Sequence, residues 1–358
     1  IVLEHAIGLS FYNALANKNL ASVYAALGLI DKAIEKCKLA QLSTDPSIIV
    51  DSVYQEGMLQ ILNENYAKGF RAHEMRLQAA NYTQKWLLKQ SSFNVDNITA
   101  HDKVLVFQEQ GLGDLLQFAR YLPLLAAKKA SIDLAIVKSE HSDSYVTFLR
   151  EHLGTYVDKI LVQKEDKINK EEYDYSVSVM SLPFYFKTRQ SNVPPSIPWS
   201  SNSYNLVFDI VGLCWHGSKH NLNDSARSLK IADVEKFCSD NPNVVFQSLQ
   251  LEYEPQLAHI PNLLQTNLGT TLETVTALIE KCELVVTVDT MIAHLSGGNG
   301  KTTYVLHSYS PDWRWGLNSS RTKWYPSITN FRQSELGDWN TPLSDISRQL
   351  KVLKNNVD

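Results

Sequence analysis

Apolar positions follow two different rhythms along this chain. Through residues 1–92 they recur at helical spacing, and no convincing strand interrupts them. NALANKNLASVYAALGLIDKAIEKCKLAQ (13–41) carries an apolar stripe on either side of Gly28, which predicts a helical hairpin. YQEGMLQILNENYAKGFRAHEMRL (54–77) predicts a second, weaker one. From about residue 100 short apolar or β-branched runs take over: KVLVFQ, SIDLAIV, KILVQ, YSVSV, DIVGLCW, NVVFQSLQ, ELVVTVD and TTYVLHS. Helical stretches such as LLQFARYLPLLAAKK, IADVEKFCSD and TLETVTALIEKC lie between several of them. That alternation predicts parallel sheets in α/β layers. The Pro-, Ser- and Asn-rich stretch RQSNVPPSIPWSSNSYN (189–205) separates two strand–helix sets. The expected organisation is a helical region 1–92, a first α/β half 93–205, a second half 206–340 and a closing helix 341–358. Two such halves place a ligand cleft between them, at the carboxyl ends of their strands.

Composition narrows the function classes. The 358 residues are 44% apolar and 20% charged, with net charge −4, which offers no basic excess for nucleic acid. No apolar run approaches the ~18 residues that span a bilayer. The opening IVLEHAIGLSFYNALA carries Glu4 and His5, lacks a basic leader and reads as part of a helix; starting on Ile, it suggests a trimmed or incomplete N-terminus. Cys37, Cys214, Cys238 and Cys282 form no C-x-x-C pair, so a reducing cytoplasm is the default expectation. The ten histidines show no metal-ligand spacing, and neither a metal nor a cofactor is expected.

Three segments carry candidate chemistry. FQEQGLGDLLQFARYLP (107–123) reads as strand, glycine turn and helix. Gly111 and Gly113 allow a tight turn, but Leu116 stands where a dinucleotide fingerprint needs its third glycine, and Asp114 occupies the place of an anionic ligand. In ELVVTVDTMIAHLSGGNGKTTYVLHS (283–308) a buried strand runs into Asp289 and Thr290, either of which can cap a helix bearing His294 on its first turn. GNGKTT is no phosphate loop, because Leu295 replaces the required glycine and the loop follows its helix; GGNG is a helix stop. CWHGSKHNLNDSARSLKIADVEKF (214–237) ends a strand in a loop holding His216, Lys219, His220, Asn223, Asp224, Arg227 and Ser228. So many donors suit a diphosphate, and they equally describe an ordinary solvated loop. There is no D-x-D triplet for a metal-bound nucleotide-sugar.

These residues carry two resemblances. Leu20, Ala21, Tyr24, Gly28, Ala33 and Ala40 fall where a tetratricopeptide repeat places its large, small, aromatic and turn residues, and Gly57, Tyr66, Gly69 and Ala72 repeat the order. QEQGLGDLLQFARYLP, YSVSVMSLP, GLCWHGSKHNLNDSARS, VTVDTMIAHLSGGNGK and SPDWRWGL…WYP…FRQSELGDW together resemble glycosyltransferases of the heptosyltransferase-like superfamily, in particular members with an N-terminal tetratricopeptide region. This resemblance implies a GT-B fold of two Rossmann-like domains behind the helical repeats. It also implies that LSDISRQLKVLKNN (343–356) returns to the first half. It makes Asp114 the general base for an acceptor hydroxyl, ionised and held at low pKa by a helix N-terminus; the competing role is a helix cap. It places Asp289, Thr290 and His294 along the donor pocket, gives Lys219 and Arg227 the leaving phosphate, and matches Asn223 and Asp224 to the family's N-D pair. Gln250, at a strand end, either faces the nucleotide or is a satisfied polar residue. PDWRWGL (311–317) either stacks on the ligand or packs between the halves, and MSLP (180–183) is expected near the acceptor.

The expected function is a cytoplasmic, metal-independent, inverting glycosyltransferase that uses a nucleotide-sugar. Its repeats would hold a protein or peptide acceptor. The alternatives are a non-catalytic interaction scaffold and a nucleotide-sugar epimerase.

Overall fold

The computed structural model describes residues 13–89, 93–200, 210–218, 224–265, 271–317 and 319–355. It opens with helices α1 (Ala14–Ala26), α2 (Ile30–Ala40), α3 (Pro46–Leu62) and α4 (Tyr66–His73), joined by short turns so that successive helices pack on one another. Asn13 caps α1 by accepting from the Ala16 amide. Asp45 caps α3 through the Ser47 amide, with Pro46 just inside, the ordinary chemistry of a helix start.

Strands β1 (Lys103–Phe107), β2 (Ser131–Ile136), β3 (Lys159–Val162) and β4 (Tyr175–Ser178) form a first sheet in the order β3-β2-β1-β4, all parallel. Val104 sits opposite Ile132 on one side and Tyr175 on the other. Helices α5 (Leu112–Phe118) and α6 (Ser142–Leu153) follow β1 and β2. The second sheet runs β10-β9-β8-β5-β6-β7, again parallel throughout. Its strands are β5 (Ile210–Cys214), β6 (Val245–Ser248), β7 (Leu263–Leu264), β8 (Leu284–Val288), β9 (Thr303–His307) and β10 (Ile328–Arg332). Between and after them lie α7 (Ile231–Asp240), α8 (Leu272–Lys281), α9 (Met291–Gly298) and α10 (Asn340–Asn355). The eight apolar runs read from the sequence are all strands here; β7 and β10 are additional.

Strand order reverses between β1 and β4 in one sheet and between β5 and β8 in the other. A crevice opens at such a reversal, because the connections on its two sides leave toward opposite faces. These two points locate the candidate site.

One apolar core joins the helical region to both sheets, running from Ile34 and Phe70 through Val104 and Val106 to Ile279, Ala293, Trp313 and Trp324. Tyr66 stacks on Trp324 with ring centroids 5.5 Å apart, and His73 lies 5.2 Å from Trp313. The hairpins thus bury their apolar face against the α/β halves. The last helix corrects an expectation. Leu343, Ile346 and Leu350 of α10 join Phe237, Val286 and Leu306 in a second core, and Asn241 Nδ2 donates to Ser347 Oγ at 2.8 Å. The helix covers the second sheet beside α7 instead of returning to the first half, because its apolar face completes that core.

Candidate functional site

α5 begins directly after the β1 turn, and α9 directly after β8, so each helix start lies at a carboxyl strand end. The two starts meet. A Cβ built on Gly113 would lie 3.0 Å from His294 Cδ2 and 3.6 Å from Met291 Cα, so a side chain here would press on the His294 ring. Gly111 differs: its φ is −62°, and an added Cβ would meet only Asp114 Oδ2, at 3.4 Å. Neither glycine has a positive φ, so the tight turn read for them is not what they supply; the close approach belongs to Gly113 alone.

Asp114 stands on the first turn of α5 with its side chain 14% exposed. Gly111 is the N-cap, so Asp114 does not cap the helix. Its carboxylate is ion-paired with Arg314, 200 residues onward in the second half. Arg314 also donates to Asp312 at 2.6 Å and lies 3.9 Å over the Trp313 ring. Burial pushes the Asp114 pKa above the ordinary carboxylate range; Arg314 opposes that shift, while Asp312 and Glu109 add to it. The expected depression by the helix N-terminus is overturned, since desolvation by burial dominates.

At the β8 end, Thr290 is the residue that caps α9, its Oγ1 accepting from the Ile292 amide at 3.2 Å. Asp289 is pushed up to about 7, first by burial and then by the Asp312 charge, with Arg314 and Arg227 pulling the other way. The Asp289 carbonyl accepts from Arg227 Nη1 at 2.7 Å, and Arg227 Nε donates to Asp224 Oδ1 at 3.1 Å. The loop after β5 and the start of α9 are thereby tied together. Gly217 lies beneath this pair, where a Cβ would come within 2.7 Å of Asp224 Oδ1. Lys219, His220 and Asn223 lie outside the described residues.

His294 is buried in the seam. Its ring stacks on Trp315 at 5.4 Å, and its Nδ1 lies 3.0 Å from Tyr325 Oη. Burial, with Arg314 and Arg120 nearby, holds its pKa well below the usual histidine value, so it stays neutral and brings no charge to a phosphate. Gln250 is committed elsewhere: its Oε1 accepts from the Trp215 amide at 3.0 Å and the His216 amide at 3.3 Å, fastening the loop after β5. The satisfied-polar reading of Gln250 accounts for these contacts. The two tryptophans of PDWRWGL also pack internally, Trp313 against His73 and Phe118, Trp315 against His294 and His307.

The structure therefore brings together Asp114, Asp289, Thr290, His294 and Arg227 from two switch points. Arg314 and Asp312 complete the cluster, and reading the sequence missed them. Their signal lay inside PDWRWGL, read as two tryptophans around an arginine that stack on the ligand or pack between the halves, with no ion pair foreseen. Among the described residues, no group of three or more His, Cys, Asp or Glu is placed to hold a metal ion. No described helix is long and apolar enough to cross a membrane.

No family model matches the chain. Over a 372-residue alignment it is 22% identical to protein FlbA of Caulobacter vibrioides, covering 94% of this chain and 61% of FlbA, so it spans about three fifths of that relative's length. Two solved structures resemble it in shape. E. coli heptosyltransferase WaaC with ADP has TM-score 0.44 and 11% identity, covering 70% of this chain and 99% of that one. E. coli ADP-heptose LPS heptosyltransferase II has TM-score 0.47 and 13% identity, covering 70% and 98%.

Proposed function

We propose that this chain is a glycosyltransferase of GT-B type, moving a sugar from a nucleotide-sugar to an acceptor hydroxyl with inversion and without a metal. The observation that carries the reading is the meeting of Asp114, from the first sheet's switch point, with Arg314, Asp289 and Arg227 around the second. In the proposed step the acceptor oxygen bonds to the anomeric carbon as the bond from that carbon to the diphosphate oxygen breaks. The acceptor proton passes to the Asp114 carboxylate. A pKa raised by burial makes this carboxylate a better base than a solvent-exposed aspartate. Arg227, the α9 start and Lys219 take the charge growing on the leaving diphosphate. In this reading residues 93–205 form the acceptor side and 206–340 the donor side.

The helical region is read as tetratricopeptide-like and as the holder of a protein or peptide acceptor. In support, a cavity of about 440 Å³ lies between Lys18, Tyr54 and Met58 of the helices and Glu109 and Gln110, the residues leading to Asp114. Asp114→Asn tests the assignment. It should keep nucleotide-sugar binding and lose transfer. Loss of stability with wild-type turnover would instead make the Asp114–Arg314 pair a structural clasp.

A further inference from the structure

Arg76 lies in a 3₁₀ turn (Glu74–Gln78) that continues α4, and its side chain is 4% exposed. Its guanidinium makes five contacts. Nε donates to Glu109 Oε1 at 2.5 Å, Nη1 to Glu74 Oε1 at 2.6 Å and to the His73 carbonyl at 3.1 Å, and Nη2 to Ser181 Oγ at 2.8 Å. Nη1 also lies 3.1 Å from His73 Nδ1, which accepts because burial keeps that imidazole neutral. The other Glu109 oxygen accepts from Tyr82 Oη at 2.7 Å, a second contact from the helical region.

Each partner has a definite place. Glu109 is in the turn between β1 and α5, five residues before Asp114. Ser181 ends the segment after β4, the strand on the other side of the first sheet's switch point. His73 lies against Trp313, the neighbour of Arg314. One short stretch, 73–76, thus reaches the segments carrying both members of the Asp114–Arg314 pair.

We infer that Arg76, with His73, is a positioning residue for the transfer site: Arg76 locks the β1–α5 turn through Glu109, and His73, which Arg76 holds, abuts the Arg314 segment at Trp313. This rests on the reading of Asp114 as the base. Its consequence is that the helical region is part of the catalytic apparatus and not only a surface for the acceptor. An arginine fork holds several oxygens in one plane, whereas a lysine offers a single point charge. The conservative replacement should therefore restore only part of the function.

The test compares Arg76→Met, Arg76→Lys and Glu109→Gln with wild type, using two readouts. The first is donor turnover: kcat should fall by about 10²-fold in Arg76→Met with little change in donor KM, and Arg76→Lys should recover part of the loss. The second needs no substrate. Amide hydrogen exchange in residues 108–116 and 312–315 should quicken, while the β1 and β8 amides stay protected. Unchanged exchange in Arg76→Met and Glu109→Gln would overturn the positioning role, as would unchanged kcat. If wild type turns over no donor while exchange still quickens, the functional reading fails, and Arg76 keeps only its structural lock on the β1–α5 turn. Should Arg76→Met not fold, Glu109→Gln and Arg76→Lys give the same comparison.

Discussion

Replacing Gly113 by alanine should separate the two helix starts, and the structure sets the size of the effect. The new Cβ would lie 3.0 Å from His294 Cδ2, against 3.5–4.0 Å for an ordinary carbon contact. His294 has little room to yield, because Trp315 stacks on one face and Tyr325 lies within hydrogen-bond distance of Nδ1. Met291 Cα, at 3.6 Å, is backbone. Helix α5 must therefore give by a few tenths of an ångström. Overpacking of this kind costs about 1–3 kcal/mol, while alanine gains about 1 kcal/mol over glycine as a helix former. The net loss of stability is then small, about 0–2 kcal/mol. Activity should fall much further, by up to about 10²-fold in kcat, because Asp114 rides on the displaced turn. Gly111→Ala is the control: with φ of −62° and one ordinary contact, it should cost no more than about 1 kcal/mol as a cap change and leave kcat near wild type. Urea midpoints and steady-state turnover measure both quantities. Equal effects at the two glycines would refute the inference that the helix starts must touch.

Three other substitutions probe charge and packing. Arg314→Met leaves the Asp114 carboxylate buried without its cation, and should cost about 3–5 kcal/mol by urea unfolding at pH 8 and less at pH 5, where protonation relieves the charge. Asp289 has a folded pKa raised to about 7, so the folded state binds the extra proton, and its contribution to stability is lost as pH rises from about 4 through 7. Asp289→Asn should flatten that slope, a difference of at most about 4 kcal/mol between the two ends, read from unfolding midpoints across pH. Phe70→Ala removes a buried ring from the cluster around Tyr66 and Trp324 and should destabilise the chain by about 3–5 kcal/mol in one calorimetric transition. Two separate transitions would contradict the shared core.

The central strands were legible because parallel strands buried on both faces read as unbroken apolar runs, LVVTV of β8 being the clearest. β10, ITNFR, was not: as an edge strand it mixes Asn330 and Arg332 with its apolar residues. β7 is two residues long and has no period to detect. The amphipathic pattern of α10 showed an apolar face without naming the sheet that receives it. Asp114, Asp289 and Thr290 stood out because each sits where a strand turns into a helix, a local signal. The partnership of Asp114 with Arg314 spans 200 residues and leaves no local trace. The same gap explains the pKa of Asp114: a neighbouring helix start is visible in sequence, whereas burial by a distant segment is not.

Whether this site takes a nucleotide-sugar decides the functional reading. Thermal unfolding against a panel of UDP, GDP, ADP, CMP and dTDP sugars asks the question directly, since a ligand at 100 times its dissociation constant adds about 2.7 kcal/mol. A clear shift is expected with one nucleotide class, kept in Asp114→Asn and weakened in Arg227→Met. No shift with any donor would contradict the proposed transfer and leave Asp114 and Arg314 as an ion pair that merely fastens the two halves.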